Sequence, residues 1–545
     1  MKKLVPILIF LLAAFAACNS KQKVETIYHN GVVYTVDSAF TIVEAFAVNK
    51  GEIVGTGTKS DLVEQFLTEK LIDLEGKAVY PGLFDAHGHF FYYGLGAFTV
   101  DLTGSKSVEE LVSRTQVFFA DKPVSAINGR GWDQNLWGGT FPTNELLNKT
   151  FPNTPVALSR VDGHAVLFND YALKLANITP ETIIDGGKVI LKNGKVTGVL
   201  IDNAISLVMS LFPKPTRTQE IAAIMEAQRQ TLAFGLTTID DAGLMANEIW
   251  LIDSLHKSGD LKTQLYIMLD QDSANLDSFL DKPPYKTNRI NVSSVKVYGD
   301  GALGSRGACL LEPYSDRPDE HGFNLSSPEF YKKLATRIEK TEFQMNTHCI
   351  GDSANRLLLN IYKEALNGAS DRRWRIEHAQ VVSDQDFELF KEVGVIASVQ
   401  ATHATSDMYW AEERLGPDRI KNAYAYKRLS DYTVVCLGSD APVESFNPLY
   451  GFYAATARQD AELFPNGGFN MANALSREEA LRGMTINAAY ANFEENEKGS
   501  LEAGKNADFV ILEKDIMKIP IRETRDTRVL ATYIHGKKEF SLELE

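Results

Sequence analysis

The sequence predicts an α/β fold: a (β/α)8 barrel of the TIM type, with a small β-sandwich domain and an inserted subdomain attached to it. Eight apolar strand segments follow one another along the chain, and helical segments separate most of them, which is the pattern of a closed barrel. Both chain ends instead alternate apolar and polar residues between Gly and Asn turns, which predicts one β-sandwich built from both ends. The stretch 91–205 separates the first two barrel strands and far exceeds a βα connection of about 2–6 residues around its helix.

These patterns predict the order of domains along the chain. Residues 24–80 and 497–545 form the β-sandwich, 81–90 and 206–496 form the barrel, and 91–205 form the inserted subdomain over the barrel mouth. A chain of 545 residues is too long for one compact core. Its net charge of -15 lacks the Lys/Arg excess of nucleic-acid-binding proteins. The sequence therefore predicts no nucleic-acid partner and leaves an oligomer possible, while its charge says little about a small-molecule substrate.

Capping signals place several helix starts. A T-x-x-Q capping box opens a helix over 216–234, and S-x-x-E boxes begin at Ser107 and Ser476. Ser383 is expected to open the helix that follows the sixth strand. These starts alternate with the strand segments, as a barrel requires.

The N-terminus has the layout of a secretory signal. Two lysines precede an apolar run from Leu4 to Ala17, which is too short to span a membrane comfortably. The run ends at Cys18 and resembles a bacterial lipobox, whose cysteine is lipidated after cleavage. We expect a signal peptide over 1–17, a lipid-anchored tether over 18–23, and a cell-envelope lipoprotein on the periplasmic side or at the outer membrane. The alternative is an ordinary cleaved signal with an incidental cysteine.

One motif, PGLFDAHGHF, indicates a metal site. His87 and His89 alternate on an extended strand and therefore project to the same face. Two neutral imidazoles on one face make half of a divalent-metal site. Such a pair alone is weak evidence for a metal site, because a lone strand histidine is more often a core residue than a ligand.

The other strand ends supply the remaining half. Barrel active sites lie at the carboxyl ends of the strands, and there the sequence has Lys296, His348, His378 and Asp440. Each has an ordinary structural explanation by itself, but their joint occurrence at separate strand ends predicts a metal site.

The motifs PGLFDAHGHF, RGWDQ, SRVDGHAVLFND, VKVYGDGALGSRGA, NTHCIGD, RIEHAQ and GSDAPVESFNP occur in this order. With them the chain resembles the amidohydrolase superfamily, specifically its amidohydrolase-3 (YtcJ-like) branch, whose characterised members include N-substituted formamide deformylases. The resemblance implies a metal-dependent hydrolase barrel with a β-sandwich made from both chain ends.

The resemblance also implies roles for matching residues. His87 and His89 would bind the more buried metal together with Asp440, and His348 and His378 would bind a second ion. One ion or two ions are both open. Zinc suits imidazole-rich sites, although other divalent ions compete.

Two residues carry the implied chemistry. Lys296 stands where related members have a carboxylated lysine that bridges both metals, because a protonated ammonium cannot ligate a cation. Asp440 would orient a metal-activated hydroxide, accept its proton and deliver it to the leaving nitrogen, as general base and then general acid.

Five further residues lie near strand or loop ends and are candidates for binding substrate. For each, a structural role is the competing interpretation. They are His164, Asp300, Arg306, Trp132 and His403.

The sequence thus predicts a metal-dependent amidohydrolase that cleaves an amide-type C–N bond other than a peptide bond. A deaminase or a cyclic-imide hydrolase of the same superfamily is an alternative, because fold alone does not choose the substrate. An alternative from another class is a catalytically inactive, ligand-binding surface lipoprotein.

Overall fold

The computed structural model describes residues 21–122, 124–368 and 370–542. The predicted signal peptide and Cys18, with its predicted lipid, lie outside the described residues. Among the helices within these ranges, none combines the length and apolarity needed to cross a membrane.

A parallel eight-stranded barrel forms the centre of the described chain, as the sequence predicts. Its strands pair in chain order, each with the next. The strands are β1 (Leu83–Gly88), β2 (Leu236–Leu244), β3 (Gln264–Asp270), β4 (Ile290–Tyr298), β5 (Gln344–Cys349), β6 (Arg375–His378), β7 (Ile396–Gln400) and β8 (Val435–Gly438). Nearly every residue of these strands is buried, because helices cover the outer face and side chains fill the interior.

Strands β1 and β8 meet just beyond their carboxyl ends. The Asp440 amide donates to the His87 carbonyl at 2.6 Å, and the His89 amide donates to the Ala441 carbonyl at 2.8 Å. These two bonds join the first and last strands at the level of the predicted metal ligands.

Helices connect the barrel strands. They are Arg217–Ala233, Ala246–Ser258, Ser273–Phe279, Pro328–Glu339, Asp352–Leu366, Phe387–Val393, Ala401–Asp407, Ala411–Arg419, Tyr426–Ser430, Pro448–Ala457, Arg477–Gly483 and Ile486–Ala491. Thr216 and Ser476 cap their helices through the predicted capping boxes. The prediction for Ser383 is wrong: the helix begins at Phe387 after Asp386, and the Ser383 hydroxyl instead accepts a hydrogen bond from Arg356.

An inserted subdomain leaves β1 through the helix Phe90–Leu95 and returns before Arg217–Ala233. Its mixed six-stranded sheet carries the helices Val108–Phe119, Glu145–Thr150, Asp170–Leu175 and Asn203–Met209. The sheet order is Val100–Asp101, Ile127–Trp132, Val156–Arg160, Ala165–Phe168, Lys195–Asp202 and Gly187–Lys192. The subdomain has its own apolar core, which includes Leu111, Leu158 and Leu167.

Strands from both chain ends meet in one sheet, because Phe509–Leu512 pairs antiparallel with Ala78–Pro81. The order of this sheet is Lys537–Ser541, Val529–Ile534, Phe509–Leu512, Ala78–Pro81, Val32–Tyr34 and Ile42–Val43. A second sheet has the order Glu52–Gly57, Ala45–Asn49, Thr26–His29 and Leu71–Asp73, beside the helix Lys59–Gln65. Tyr28 of the second sheet and Tyr533 of the first share one apolar core.

Candidate metal centre

The β1 motif and the loop after β8 bring three potential metal ligands together. His87, His89 and Asp440 each offer one ligand atom, and these three atoms all lie within 4.8 Å of one another. The His89 Nε2 atom lies 3.0 Å from Asp440 Oδ1, and the His87 Nε2 atom lies 3.6 Å from the same oxygen. The strand alternation seen in the sequence thus becomes a convergent group once β8 closes against β1.

Neighbouring acceptors determine which ring nitrogen of each histidine points into this group. His89 Nδ1 lies 2.9 Å from the Ala242 carbonyl, and His87 Nδ1 lies 2.5 Å from a Glu377 carboxylate oxygen. Because these oxygens only accept, both Nδ1 atoms donate, and the Nε2 lone pairs face Asp440. Lone pairs facing a carboxylate require a cation or a proton between them, so the arrangement fits a metal ion.

Lys296 reaches the same group from β4. Its Nζ atom lies 2.9 Å from His87 Nε2, and its side chain is almost completely buried. Burial lowers the pKa of this amine, because the charged form loses its hydration. A neutral amine is the form that reacts with carbon dioxide, so the location is compatible with carboxylation.

His348 and His378 form the other half of the centre. Their ring centroids are 4.4 Å apart, and the His378 ring is 4.9 Å from the His87 ring. His378 Nδ1 lies 2.7 Å from the Gln400 side-chain oxygen, while the buried His348 Nε2 has no hydrogen-bond partner in the described residues. A buried nitrogen without a hydrogen-bond partner among the described residues is available to bind a metal ion.

Two of these residues have unusual backbone conformations. His378 has φ 73° and Asp440 has φ 58°, in the left-handed region that side chains other than Gly rarely adopt. Such strain is characteristic of functional positions, since surrounding contacts must stabilise it. His378 is the last residue of β6, and Asp440 lies two residues after β8.

Two cavity lobes border the centre. The Trp410 lobe, about 280 Å³, contains Asp407, Glu444, His403 and Trp410; the Tyr298 lobe, about 320 Å³, contains Tyr298, Tyr92, Arg130 and Lys296. Both are lined by Asp162, His164, His348, His378, Asp440 and Val443.

His164 comes from the inserted subdomain and reaches both lobes. Its ring centroid is 5.1 Å from that of His348, and its Nδ1 atom lies 2.6 Å from Asp202 Oδ1. Burial alone would lower the pKa of His164, but the Asp202 and Asp162 carboxylates outweigh it and raise the value. His164 therefore lies beside the candidate metal centre, and its binding of substrate stays a prediction.

His403 also lies at the cavity, in the Trp410 lobe. Its ring stacks on that of His378 at 6.1 Å between centroids, and its Nε2 atom has no hydrogen-bond partner in the described chain. The predicted proximity to substrate remains a prediction, now with a defined location.

The structure does not bring Trp132 to either lobe, which corrects the prediction that it binds substrate. Its side chain is completely buried in the core of the inserted subdomain, and its indole N–H donates to the Leu158 carbonyl at 2.6 Å. A large aromatic side chain inside a small subdomain contributes mainly apolar burial.

Asp300 needs a similar correction. It is fully buried, and its carboxylate accepts hydrogen bonds from the amides of Ile350, Gly351 and Cys309 at 2.8–2.9 Å. Its acceptor capacity is used to anchor the loop after β5, next to His348, so it acts by positioning that loop.

Arg306 faces a different cavity, of about 550 Å³, between the inserted subdomain and the 305–323 loop. Its guanidinium binds the Asp316 carboxylate. The prediction that it binds substrate at the metal centre is therefore wrong, because its charge is already paired on another side of the subdomain.

Several residues of the site were not predicted from the sequence. Glu377 directly precedes His378 in β6, and a carboxylate in a completely buried strand could have signalled its role. Asp202 and Arg130 lie in the insertion, Asp407 ends the helix that follows β7, and Glu444 lies in the loop after β8. Sequence spacing gives no signal for these four, because they converge only through the fold.

The chain is similar in sequence and in structure to several known proteins. A family model described as the amidohydrolase family matches residues 70–538. LONG AFTER FAR-RED 3 of Arabidopsis thaliana is 32% identical over 530 residues, which cover 93% of this chain and 90% of that protein. N-substituted formamide deformylase of Arthrobacter pascens is 25% identical over 539 residues, covering 93% and 96% respectively. A solved metal-dependent hydrolase from Pyrococcus horikoshii aligns with a TM-score of 0.75 at 26% identity, covering 91% of this chain and 99% of that one.

Proposed function

Because this chain belongs to the amidohydrolase family, we propose that it hydrolyses an amide-type C–N bond of a small molecule with a divalent metal and with Asp440 as proton carrier. The family assignment makes it a hydrolase of C–N bonds other than peptide bonds. The observation that carries the proposal is the convergence of His87, His89 and Asp440 ligand atoms within 4.8 Å.

The donor set fits a divalent metal. His87, His89 and Asp440 would hold one ion, and His348 and His378, with their Nε2 atoms free of competing donors, would hold a second. A carboxylated Lys296 would join the two halves, since its amine lies 2.9 Å from His87 Nε2. Imidazole and carboxylate donors favour zinc among the common ions.

When bound, the metal supplies Lewis-acid polarisation of a carbonyl and lowers the pKa of water to about 7. Asp440 lines both lobes, so its carboxylate can take a proton from the attacking water. It then returns this proton to the leaving nitrogen as the C–N bond breaks, which yields an acid and an amine.

His164 of the inserted subdomain contributes a substrate contact to the same reaction. Asp202 accepts the Nδ1 hydrogen at 2.6 Å, which fixes the ring and leaves Nε2 available to the substrate carbonyl or leaving group. The inserted subdomain therefore contributes one polar contact to a centre otherwise built by the barrel.

Metal analysis combined with hydrolysis assays tests this function. The purified protein should contain about one or two divalent ions per chain and should hydrolyse members of a panel of N-formyl, N-acyl and cyclic amides. A protein that neither retains metal nor hydrolyses any member after zinc loading would contradict the proposal and favour a binding protein.

We also propose that the chain ends form one β-sandwich domain beside the barrel.

The cellular location is a separate proposal that rests on the sequence alone. Cys18 is lipidated and anchors the protein in the cell envelope. A Cys18→Ser variant should move from the membrane fraction to the soluble fraction, and an unchanged distribution would argue for another mode of attachment.

A further inference from the structure

The Trp410 lobe contains two carboxylates that lack a cationic partner. Asp407 Oδ2 accepts hydrogen bonds from the Tyr424 hydroxyl at 2.8 Å and from the Gln380 amide at 3.3 Å. Glu444 Oε1 accepts a hydrogen bond from the Ser406 hydroxyl at 2.7 Å. No Lys, Arg or His nitrogen of the described chain lies within 4.0 Å of either carboxylate.

The one arginine of this lobe is already engaged. Arg160 binds Asp133 at 2.5 Å and also binds Asp162, while its Nε atom donates to Gln134 at 2.7 Å. Its positive charge is therefore offset by two other carboxylates, and it forms no ion pair with Asp407 or Glu444.

His403 lies in the same lobe and gives an independent indication of a ligand. Its side chain is 8% exposed, and its Nε2 atom has no hydrogen-bond partner in the described residues. A buried polar atom without a partner costs about 1–3 kcal/mol, so a donor or acceptor supplied by a bound molecule would relieve it.

A further metal ion, beyond those proposed for the centre, explains this lobe poorly. Among the described residues, the ligand atoms of His87, His89 and Asp440 lie within 4.8 Å of one another, and neither Asp407 nor Glu444 belongs to that group. The lobe instead has a volume of about 280 Å³ and an aromatic wall at Trp410. Spaced carboxylates beside an aromatic ring suit an organic cation.

From this geometry we infer that the substrate carries an ammonium or guanidinium group and that Asp407 and Glu444 bind this group in the Trp410 lobe. The inference rests on the proposed function, because the scissile bond must lie at the metal centre while the cation lies beside it. The two carboxylates would also offset repulsion between the substrate cation and the metal. The net charge of -15 would favour the encounter with a cationic molecule.

Matched formamides test the inference on the metal-loaded protein. N-formylcadaverine carries a terminal ammonium, whereas N-formylhexylamine has a methyl group in its place. We expect kcat/KM for the cationic probe to exceed that for the neutral probe about tenfold or more, since charge-assisted hydrogen bonds are strong. Equal values, or a preference for the neutral probe, would overturn the inference.

Variants locate the effect. Glu444→Gln and Asp407→Asn should each reduce the ratio of the two kcat/KM values about tenfold. Glu64→Gln removes an exposed carboxylate in the N-terminal region and should leave the ratio unchanged. A ratio that survives both substitutions would show that the cation binds elsewhere and would contradict the inference.

Binding of cadaverine alone separates this inference from the proposed function. Calorimetry should detect a cadaverine complex that weakens about tenfold in Glu444→Gln. If no formamide is hydrolysed but cadaverine binds in this way, the reaction assignment fails and the cation site stands. If formamides are hydrolysed but cadaverine shows no Glu444-dependent binding, the cation site fails and the function stands.

Discussion

The two lobes of the cavity have similar volumes, about 280 and 320 Å³, but they differ in which charged side chain lacks an ion-pair partner. The Trp410 lobe contains Asp407 and Glu444 without a cation, whereas the Tyr298 lobe contains Arg130 without a carboxylate within 4.0 Å in the described chain. Both lobes border the same candidate metal centre. Under the proposed function, the barrel strands would supply the reaction, while the surrounding loops and the inserted subdomain would orient a polar substrate across it.

The largest effect is expected at the centre that both lobes share. Asp440→Asn removes the proton acceptor but keeps the shape of the side chain, so kcat for any substrate should fall about a hundredfold to ten-thousandfold. Thermal unfolding and metal content, measured in parallel, should show a folded protein. Near-normal kcat in this variant would contradict the assignment of Asp440 as proton carrier. The rate would then depend on the loops rather than on the centre.

The next effect concerns support of the centre. Glu377→Gln weakens the acceptor of the His87 Nδ1 hydrogen, and such substitutions lower metal affinity about 10–100-fold. Titration of the apoprotein with zinc in the presence of a competing chelator measures this. Glu64→Gln is the matched control, because it makes the same substitution at an exposed carboxylate, and it should bind zinc normally. Unchanged affinity in Glu377→Gln would show that Glu377 does not position His87.

A smaller effect should distinguish the lobes from each other. The Arg130 side chain donates to the Val161 carbonyl at 2.9 Å, and its Nε atom is buried without a partner. Arg130→Gln should therefore raise KM about tenfold for an anionic probe such as N-formylaminopentanoate, and much less for N-formylcadaverine. Equal changes for both probes would mean that the two lobes do not differ in charge selection.

The smallest effect is a pH dependence confined to the Trp410 lobe. Burial raises the pKa of Asp407 to about 7, although His403 nearby lowers it in part. A bound cation favours the charged carboxylate, so KM for N-formylcadaverine should fall as pH rises through this value, by at most about tenfold per pH unit. The same pKa also responds to the charges of Glu444 and Arg160 and to the hydrogen bond from Tyr424.

The neutral probe provides the comparison for this pH effect. Its KM should lack the Asp407 component, and Asp407→Asn should remove the difference between the two probes. A pH dependence shared by both probes would assign the titration to the common centre.

The candidate metal ligands could be predicted from the sequence because they obey a local rule. Residues at the carboxyl ends of barrel strands converge whatever the loops do, so strand patterns and a family resemblance predict His87, Lys296, His348 and Asp440 as neighbours. The order of the eight strands followed from the same patterns, because apolar periodicity is a property of neighbouring residues.

The same rule failed where proximity in sequence does not determine direction. Trp132, Asp300 and Arg306 also follow strands or lie in loops near the barrel, yet they pack in a core, bind amides and pair with Asp316 respectively. Whether a loop side chain points into the cavity depends on packing against distant segments, which the sequence does not display.

The sequence by itself determined the barrel and the chemical types at its strand ends, since both arise from short-range alternation. Only the tertiary structure decided the shape and charge of the cavity. Asp407 ends the helix after β7, Glu444 lies in the loop after β8, and Arg130 and His164 come from the insertion. Their convergence depends on long-range packing, which brings residues far apart in the chain into one cavity.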